Sequence, residues 1–305
     1  KWGIGYEDMK KLRPDIIYLS MSGFGHIGRD RDYQTMGPIA QALSGMTYLS
    51  GLPGEQPAGW GWSYMDDTGG MYGAICALSA LYHRNITGQG QHVDKSQWIS
   101  GVALNGPAFL DIQANGRSTI REGYPPGNRM HWPGTPLVNN YRGRTVAPHN
   151  AYRTHPLEYN DWCTIACFSD DEWQRLVKVM GSPAWATNDK FSTLEGRLEH
   201  QEEMDLGIEA WTKTLGKYEI MERCQTAGVR SMPVQSSQDR VDNDPQLRHR
   251  EMYREMYHPA LGTWSLQNAP FKMSETPAFN SRPGPMIGQH NREVFEGLLN
   301  ISHEE

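Results

Sequence analysis

Residues 65–74 read MDDTGGMYGA and open a long helical pattern. Apolar residues then recur at the spacing of one helix face, at Met71, Ile75, Leu78 and the pair Leu81 and Tyr82. The turn sequence Thr87-Gly88-Gln89-Gly90 ends the helix. A short strand is predicted on each side, at Asp15–Ser20 and at Gln91–Asp94, and the first reads as buried and parallel. The order of these elements predicts an α/β fold.

The rest of the chain predicts further elements in two blocks. Residues 37–50 are rich in small side chains and helical in their first half, and Pro107 interrupts a helix over residues 96–113. Residues 115–150 have no period and read as a linker or a long functional loop. A second α/β block follows, with strands at Trp162–Phe168 and Val229–Val234 and helices at Asp170–Met180, Glu199–Leu215, Tyr218–Ala227, from Asp244-Pro245, and at Arg292–Asn300.

Composition excludes several classes of protein. The chain has 305 residues, 38% of them hydrophobic and 21% charged, with a formal net charge of −6. This is typical of a globular protein, and the acidic balance does not fit a nucleic-acid-binding surface, although a phosphorylated cofactor needs only a local basic pocket. No apolar run reaches the roughly 20 residues of a membrane span. We therefore expect neither nucleic acid nor a membrane as a partner.

Cysteine usage points to a reducing compartment. The four cysteines, Cys76, Cys163, Cys167 and Cys224, are scattered through apolar segments. This favours buried thiols in the cytoplasm over a disulfide framework. Further metal ligands at a fitting spacing are missing around Cys163 and Cys167, so no metal site is predicted. The opening residues read like the middle of an α/β domain, so we expect an N-terminal portion to precede Lys1.

A glycine-rich loop, Ser22-Gly23-Phe24-Gly25-His26-Ile27-Gly28, follows the first strand. Its glycines fit G-x-G-x-x-G, but no apolar helix follows and no acidic residue ends a second strand about 20 residues later, so a dinucleotide site is not favoured. A tight glycine loop after a strand still lets a ligand approach the backbone closely. The loop is therefore either a structural turn or a ligand contact formed by Ser22, Gly23, Phe24 and Gly25.

Asp66 and Asp67 stand at a predicted helix start, which allows two interpretations. Aspartate is among the best N-caps. The same position also favours an ionised carboxylate, which is the nucleophilic form. Three glycines in the first turns cost roughly 1 kcal/mol each relative to alanine, so they need a reason in packing or in access for a substrate.

Other candidate site residues are aromatic, basic or histidine side chains. No H-x-x-x-H pair and no nucleophile motif such as G-x-S-x-G is present. His83, His92 and His258 read as structural or surface residues, whereas Arg129, His131 and His149 lie in the region of the long loop and could face a pocket. Just before Asp66, Trp60, Trp62 and Tyr64 could line an apolar pocket or form the core of a dimer.

Several segments form one collinear set: Leu12–Tyr18, Ser22–Gly25, Met65–Ala74, Leu81–Arg84, Thr87–Asp94, Gly127–Arg129, Ala147–Tyr152, Asp161-Trp162, Ala227–Val229, Pro233-Val234, Asp244–Gln246 and His258–Gly262. This set resembles the family III CoA-transferases, the CaiB–BaiF group that includes formyl-CoA, carnitine and benzylsuccinate CoA-transferases. Single pieces of it are weakly specific, but the set in this order spans nearly the whole chain.

The resemblance implies an architecture. A large Rossmann-like domain and a smaller α/β domain would be joined in an interlocked-ring dimer, either a homodimer or a heteromer with a related subunit. The large domain would take residues 1–122, the linker and small domain residues 123–275, and the C-terminal return to the large domain residues 276–305. An N-terminal segment would supply part of the coenzyme A site.

The resemblance also implies a reaction. Coenzyme A would move from an acyl-CoA donor, such as succinyl-CoA, to a carboxylic acid acceptor, with the CoA thioester as substrate and no tightly bound cofactor. The family's nucleophilic aspartate stands four residues before a helix glycine and six before an aromatic residue or histidine, and Asp66 meets this register through Gly70 and Tyr72. Asp67 is one residue out of register. Asp66 would form first an anhydride and then a thioester with coenzyme A.

Two alternatives stay open. A racemase of 2-methylacyl-CoA thioesters shares the fold, but the histidine it needs would stand at Met36, so half of its acid/base machinery is missing. A non-catalytic partner subunit would not need Asp66. For a transferase, we expect an acceptor larger than formate or oxalate, such as an aryl or branched dicarboxylate, whose second carboxylate Arg129, His131 or His149 would hold.

Overall fold

A computed structural model of the chain describes residues 2–50, 56–59, 61–116, 140–141 and 144–302. The chain forms two compact units, Lys1–Pro148 and His149–Glu305, and each is described by itself. The division into 1–122, 123–275 and 276–305, which rests on the family resemblance, stays a prediction.

The first unit is a mixed α/β unit built around a parallel strand pair. Strands β1 and β2 pair in parallel from Ile17 opposite Gln91 to Ser22 opposite Ser96, which confirms the prediction of a parallel strand. The prediction that β1 is buried is wrong, because its residues are half-buried or exposed. The elements in chain order are α1 Tyr6–Leu12, β1 Ile17–Ser22, α2 Gly37–Leu43, α3 Met46–Leu49, α4 Tyr64–Thr87, β2 Gln91–Ser96, α5 Gln97–Leu104, α6 Gly106–Asn115, β3 Asn140–Tyr141 and β4 Arg144–Thr145.

Helix α4 connects the two parallel strands. It begins at Tyr64, two residues before the predicted start, and Gly88 ends it in the left-handed conformation with φ of 72°. Ser63 is the N-cap residue, so the interpretation of Asp66 or Asp67 as the cap is wrong. Both carboxylates lie in the first turn, where the helix dipole favours negative charge.

The predicted break at Pro107 is confirmed. Helix α5 ends at Leu104, and α6 begins at Gly106 with the proline in its first turn, where a missing N–H is tolerated. Between the helices, the Asn105 side chain donates a 2.7 Å hydrogen bond from Nδ2 to the Ser44 carbonyl. This bond connects the residue between α5 and α6 to the C-terminal end of α2.

The core of the first unit lies between α2, α3, α4 and α5. Ala40, Met46 and Met65 are buried together, and Tyr64 and Trp98 pack against them. Full burial of a side chain such as that of Met65 contributes roughly 1.5–3 kcal/mol. This packing fixes the start of α4 against its neighbours.

The second unit contains a three-stranded antiparallel sheet in the order β5-β6-β7 and a separate hairpin of β8 and β9. The elements are β5 His149–Arg153, β6 Trp162–Ala166, α7 Asp170–Val179, a 3₁₀ turn Asp189–Phe191, α8 Leu194–Glu199, α9 Gln201–Thr212, α10 Lys217–Thr226, β7 Arg230–Pro233, a π-helical turn Asp239–Asn243, α11 Pro245–His249, β8 Tyr253–His258, β9 Gly262–Gln267 and a π-helical segment Glu293–Leu298. The predicted helices and strands of this block are present with shifted ends. Strands β5, β8 and β9 were not predicted.

An aromatic cluster anchors the core of the second unit. Trp173 of α7 is fully buried, and its ring centroid lies 6.1 Å from that of Phe191 and 6.2 Å from that of Trp185. Ser169 caps α7 by accepting a hydrogen bond from the Glu172 backbone N–H at 3.1 Å. Such a cap and an apolar face explain why the sequence predicts this helix well.

The four cysteines are free thiols. Cys163, Cys167 and Cys224 are buried, and burial raises the pKa of Cys163 to about 12 and that of Cys224 to about 11. These thiols are therefore unreactive core residues. Among the described residues, no cluster of three or more metal-binding side chains is present. None of the helices in that part of the chain is long and apolar enough to cross a bilayer.

Candidate active site

Asp66 is held in a defined orientation at the start of α4. Its side chain is exposed, and Gln97, the first residue of α5, donates a hydrogen bond from Nε2 to Asp66 Oδ1 at 2.7 Å. One carboxylate oxygen is thus fixed by a neutral donor. Gln97 carries no local sequence signal for this contact, because 31 residues separate it from Asp66.

The other carboxylate oxygen lies against the backbone of α2. A Cβ atom at Gly37 would stand 2.9 Å from Asp66 Oδ2 and 2.7 Å from Ser63 Cβ. Such distances are shorter than real contacts, so only glycine lets the start of α2 approach Asp66 this closely. Gly37 was not singled out in the sequence, where it precedes a proline in an ordinary helix start.

The glycines of α4 have different surroundings. A Cβ atom at Gly69 would lie 2.9 Å from Gln97 Cγ and 3.1 Å from Lys95 Nζ. At Gly73 it would contact Met21 Sδ at 3.6 Å, whereas at Gly70 it would meet no described atom within 4 Å. Packing therefore accounts for Gly69. At Gly73 a Cβ would make an ordinary contact, and Gly70 leaves open space one turn after Asp66.

The glycine loop after β1 is a fixed turn joined to the start of α5. The Gly23 carbonyl accepts hydrogen bonds from the Trp98 backbone N–H at 2.9 Å and from Ser96 Oγ at 3.0 Å. Ser22 Oγ accepts from the Gly25 N–H at 3.0 Å, and Gly25 has φ of +86°. Because Gln97 lies between Ser96 and Trp98, the loop is anchored to the same segment that holds Asp66.

Aromatic rings and a second polar pair brace this loop. The Phe24 ring packs edge-on against Trp98 at 6.0 Å and against Tyr33 at 6.5 Å. The Asp94 carboxylate accepts a hydrogen bond from the His26 backbone N–H at 2.9 Å. The loop thus has structural reasons for its shape, and its contact with coenzyme A stays a prediction.

A cavity of about 490 Å³ lies beside the start of α4; its lining includes Pro38, Gln41, Ala42, Thr47, Gly59, Gly61, Trp62 and Ser63. Gln41 is 2% exposed, and its Nε2 has no hydrogen-bond partner among the residues that the structure describes. Buried amides are normally paired, but this nitrogen has almost no accessible surface, so a ligand in the cavity would reach it only after a local rearrangement. Ser63, which lines this cavity, precedes Asp66 by three residues in the sequence.

The predicted substrate-binding residues have different outcomes. Trp62 lines the cavity. Tyr64 is partly buried and packs against the core of its unit, and its contact with a substrate stays a prediction. His149 is the exposed first residue of β5 in the second unit. Trp60, Arg129 and His131 lie outside the described residues.

Lys95 of β2 is a second polar residue that the sequence did not point to. Its exposed fraction is 6%, and burial lowers its pKa below the ordinary value of 10.5. Every second residue of a strand faces the same side, and Lys95 therefore shares the helix-facing side of β2 with Val93. A lysine in this alternation is a signal that could have been noticed.

Comparison with known proteins identifies the family. The sequence model of CoA-transferase family III matches residues 1–291. The chain belongs to the family III CoA-transferases. This match confirms the resemblance seen in the sequence. The chain is therefore a CoA-transferase, and enzymes of this family act on CoA thioesters.

This CoA-transferase is similar to named CoA-transferases and to a solved structure of the same fold. It is 32% identical to succinyl-CoA–D-citramalate CoA-transferase of Chloroflexus aurantiacus, over 100% of this chain and 71% of the relative. It is 28% identical to the beta subunit of succinyl-CoA–L-malate CoA-transferase of the same organism, again over 100% and 71%. A crystal structure of a CAIB/BAIF family protein from Brucella suis superposes with a TM-score of 0.79 at 24% identity, covering 96% of this chain and 70% of that one.

Proposed function

We propose that this enzyme transfers coenzyme A between two carboxylic acids with Asp66 as the nucleophile. The observation that carries the proposal is the fixed geometry of Asp66, which Gln97 binds at 2.7 Å and Gly37 flanks on the other side. Asp67 stands beside it in the same helix turn and has neither contact in the described structure. A carboxylate held in one orientation at a helix N-terminus is suited to nucleophilic attack.

The reaction proceeds in balanced steps. An Asp66 oxygen attacks the thioester carbonyl of the donor, the new C–O bond gives a mixed anhydride, and the C–S electron pair leaves with coenzyme A as a thiolate. The thiolate attacks the aspartyl carbonyl, which gives aspartyl-CoA and releases the donor acid as a carboxylate. The acceptor carboxylate then repeats these steps in reverse. Each step joins activated acyl species of similar energy.

Water must be kept from the anhydride while it exists. The loop Ser22–Gly25 is anchored next to Gln97 by the hydrogen bonds to Gly23. We place coenzyme A along this loop, where backbone without bulky side chains allows close approach. A bound thioester would then cover Asp66 from the side of the loop.

The cavity beside Ser63 is the proposed site of the acyl group. Its volume of about 490 Å³ exceeds what oxalate fills. With relatives named for succinyl-CoA, D-citramalate and L-malate, we propose succinyl-CoA as donor and a branched or hydroxylated dicarboxylate as acceptor. Trp62 would pack on the acyl chain. That Arg129, His131 or His149 holds a second carboxylate stays a prediction from the sequence. A panel in which oxalate is the best acceptor would contradict this assignment.

The oligomer is also a proposal. One relative is a beta subunit, which supports a heteromer. The alternative proposal is a homodimer, and in both forms the family resemblance implies interlocked rings and a Rossmann-like large domain. Sedimentation equilibrium of the full-length enzyme, with its mass by mass spectrometry, measures the number and identity of the subunits. A monomer would contradict both forms.

The experiment that tests the nucleophile is chemical trapping. The full-length enzyme is incubated with succinyl-CoA, quenched with borohydride or hydroxylamine, and mapped by peptide mass spectrometry. Modification at Asp66 that is absent in Asp66→Asn and present in Asp67→Asn supports the proposal. Turnover without modification of Asp66, or α-proton exchange without transfer of coenzyme A, would favour the racemase or the partner-subunit interpretation.

A further inference from the structure

Lys95 is a buried cation whose ammonium has no hydrogen-bond partner among the described residues. It is 6% exposed. Burying an ammonium without a partner is strongly unfavourable, whereas an apolar side chain of similar length would fill the same space without that cost. The positive charge is therefore what distinguishes this side chain from a packing residue.

The ammonium lies next to the residue that holds Asp66. The position of a Cβ atom at Gly69 would be 3.1 Å from Lys95 Nζ and 3.4 Å from Gln97 Nε2. The lysine and the amide thus both approach Gly69, and the same Nε2 donates to Asp66 at 2.7 Å. Gly69 is three residues after Asp66, so both lie on one face of α4.

The other groups around Lys95 do not neutralise it. The Tyr72 ring centroid is 6.0 Å from Nζ, and the Cys76 thiol acts on it only through space. Where α4 faces β1, at Gly73, the nearest side chains are those of Met21 and Leu19, which are apolar. Gln97, which also borders Gly69, connects these surroundings to the carboxylate of Asp66.

We propose that Lys95 is a positioning residue for coenzyme A transfer, whose buried ammonium acts beside Gln97 to stabilise the anions formed at Asp66. This inference rests on the proposed function. Asp66 is an anion before it attacks, the leaving coenzyme A is a thiolate, and the released acid is a carboxylate. A fixed cation about one helical turn away stabilises each of these charges. The Asp66 side chain is exposed in the free enzyme, so this stabilisation takes full effect once bound substrates exclude water from the carboxylate.

The test compares three variants of the full-length enzyme. Lys95→Met keeps the length of the side chain without its charge, Lys95→Arg keeps the charge, and Lys10→Met removes an exposed lysine of α1 as the matched control. We expect Lys95→Met to lower kcat about 10- to 100-fold with little change in KM. We expect its Tm to be unchanged or higher, because an unpaired buried charge is removed. Lys95→Arg should restore part of kcat, and Lys10→Met should match the wild type.

Two results would overturn the inference. One is a Lys95→Met enzyme with kcat within about twofold of the wild type. The other is a Lys95→Met enzyme whose Tm and kcat fall together, which is the behaviour of a packing residue. Trapping on the wild type separates this from failure of the proposed function: without an adduct on Asp66 the proposed function itself fails, whereas an adduct formed at normal rate in Lys95→Met rejects only the role of Lys95.

Discussion

Replacing Gln97 by leucine isolates the contact that orients Asp66. Leucine has a similar volume but no donor, so Asp66 Oδ1 loses the 2.7 Å hydrogen bond. The packing of Gln97 Cγ against Gly69 stays similar, because a side-chain carbon still occupies that place. The substitution therefore changes the orientation of the nucleophile more than the stability of the fold.

The size of the effect follows from the kind of bond. A hydrogen bond to a charged group contributes about 1.5–3 kcal/mol. If that energy is lost from the transition state, kcat/KM falls about 10- to 150-fold. The kcat/KM of Gln97→Glu should be lower still at neutral pH, because two ionised carboxylates at hydrogen-bond distance repel each other.

The assay follows transfer of coenzyme A from succinyl-CoA to a panel of dicarboxylic acids by chromatography of the thioesters. Gln113→Leu, a change at an exposed position of α6, is the matched control and should behave like the wild type. Tm values of all variants show whether folding is intact. A Gln97→Leu enzyme within about twofold of wild-type kcat/KM would contradict this prediction, because the Gln97 hydrogen bond would then not hold Asp66 in its reactive orientation.

Three further predictions concern packing and charge. Gly37→Ala should lower kcat/KM at least about tenfold, because its Cβ would displace Asp66 or Ser63; steady-state kinetics measure this, and a wild-type rate would contradict it. Trp173→Ala should lower the free energy of unfolding by about 3–5 kcal/mol, measured with urea; a loss under about 1 kcal/mol would mean that the site repacks. In the second unit, burial acts to raise the pKa of Asp239, but hydrogen bonds, first that from Lys217, outweigh it and lower the pKa below 3.8. The unfolded carboxyl binds its proton first as the pH falls, so this stabilisation is complete above about pH 4 and is lost as the pH falls through the folded pKa. Lys217→Met should reduce that acid sensitivity in thermal melts, and an unchanged pH dependence would exclude this pair as its source.

Much of the local structure could be read from the sequence because its signals act over a few residues. The apolar spacing after Met71, the left-handed Gly88 and the break at Pro107 each depend on neighbours within one helical turn. The hairpin of Tyr253–His258 and Gly262–Gln267 was not predicted, because its exposed strands lack a clear buried face.

The α/β character of the first unit, the place of Asp66 at the start of a helix and the family resemblance can all be read from the amino-acid sequence. The side chains near that carboxylate can be known only from the tertiary structure. Gln97 and Lys95 follow Asp66 by about 30 residues, and Gly37 precedes it by a similar distance. They meet because the parallel pairing of β1 with β2 sets where α5 begins, and because two glycines permit close approach. Such a meeting depends on strand register and packing, which no local pattern of residues encodes.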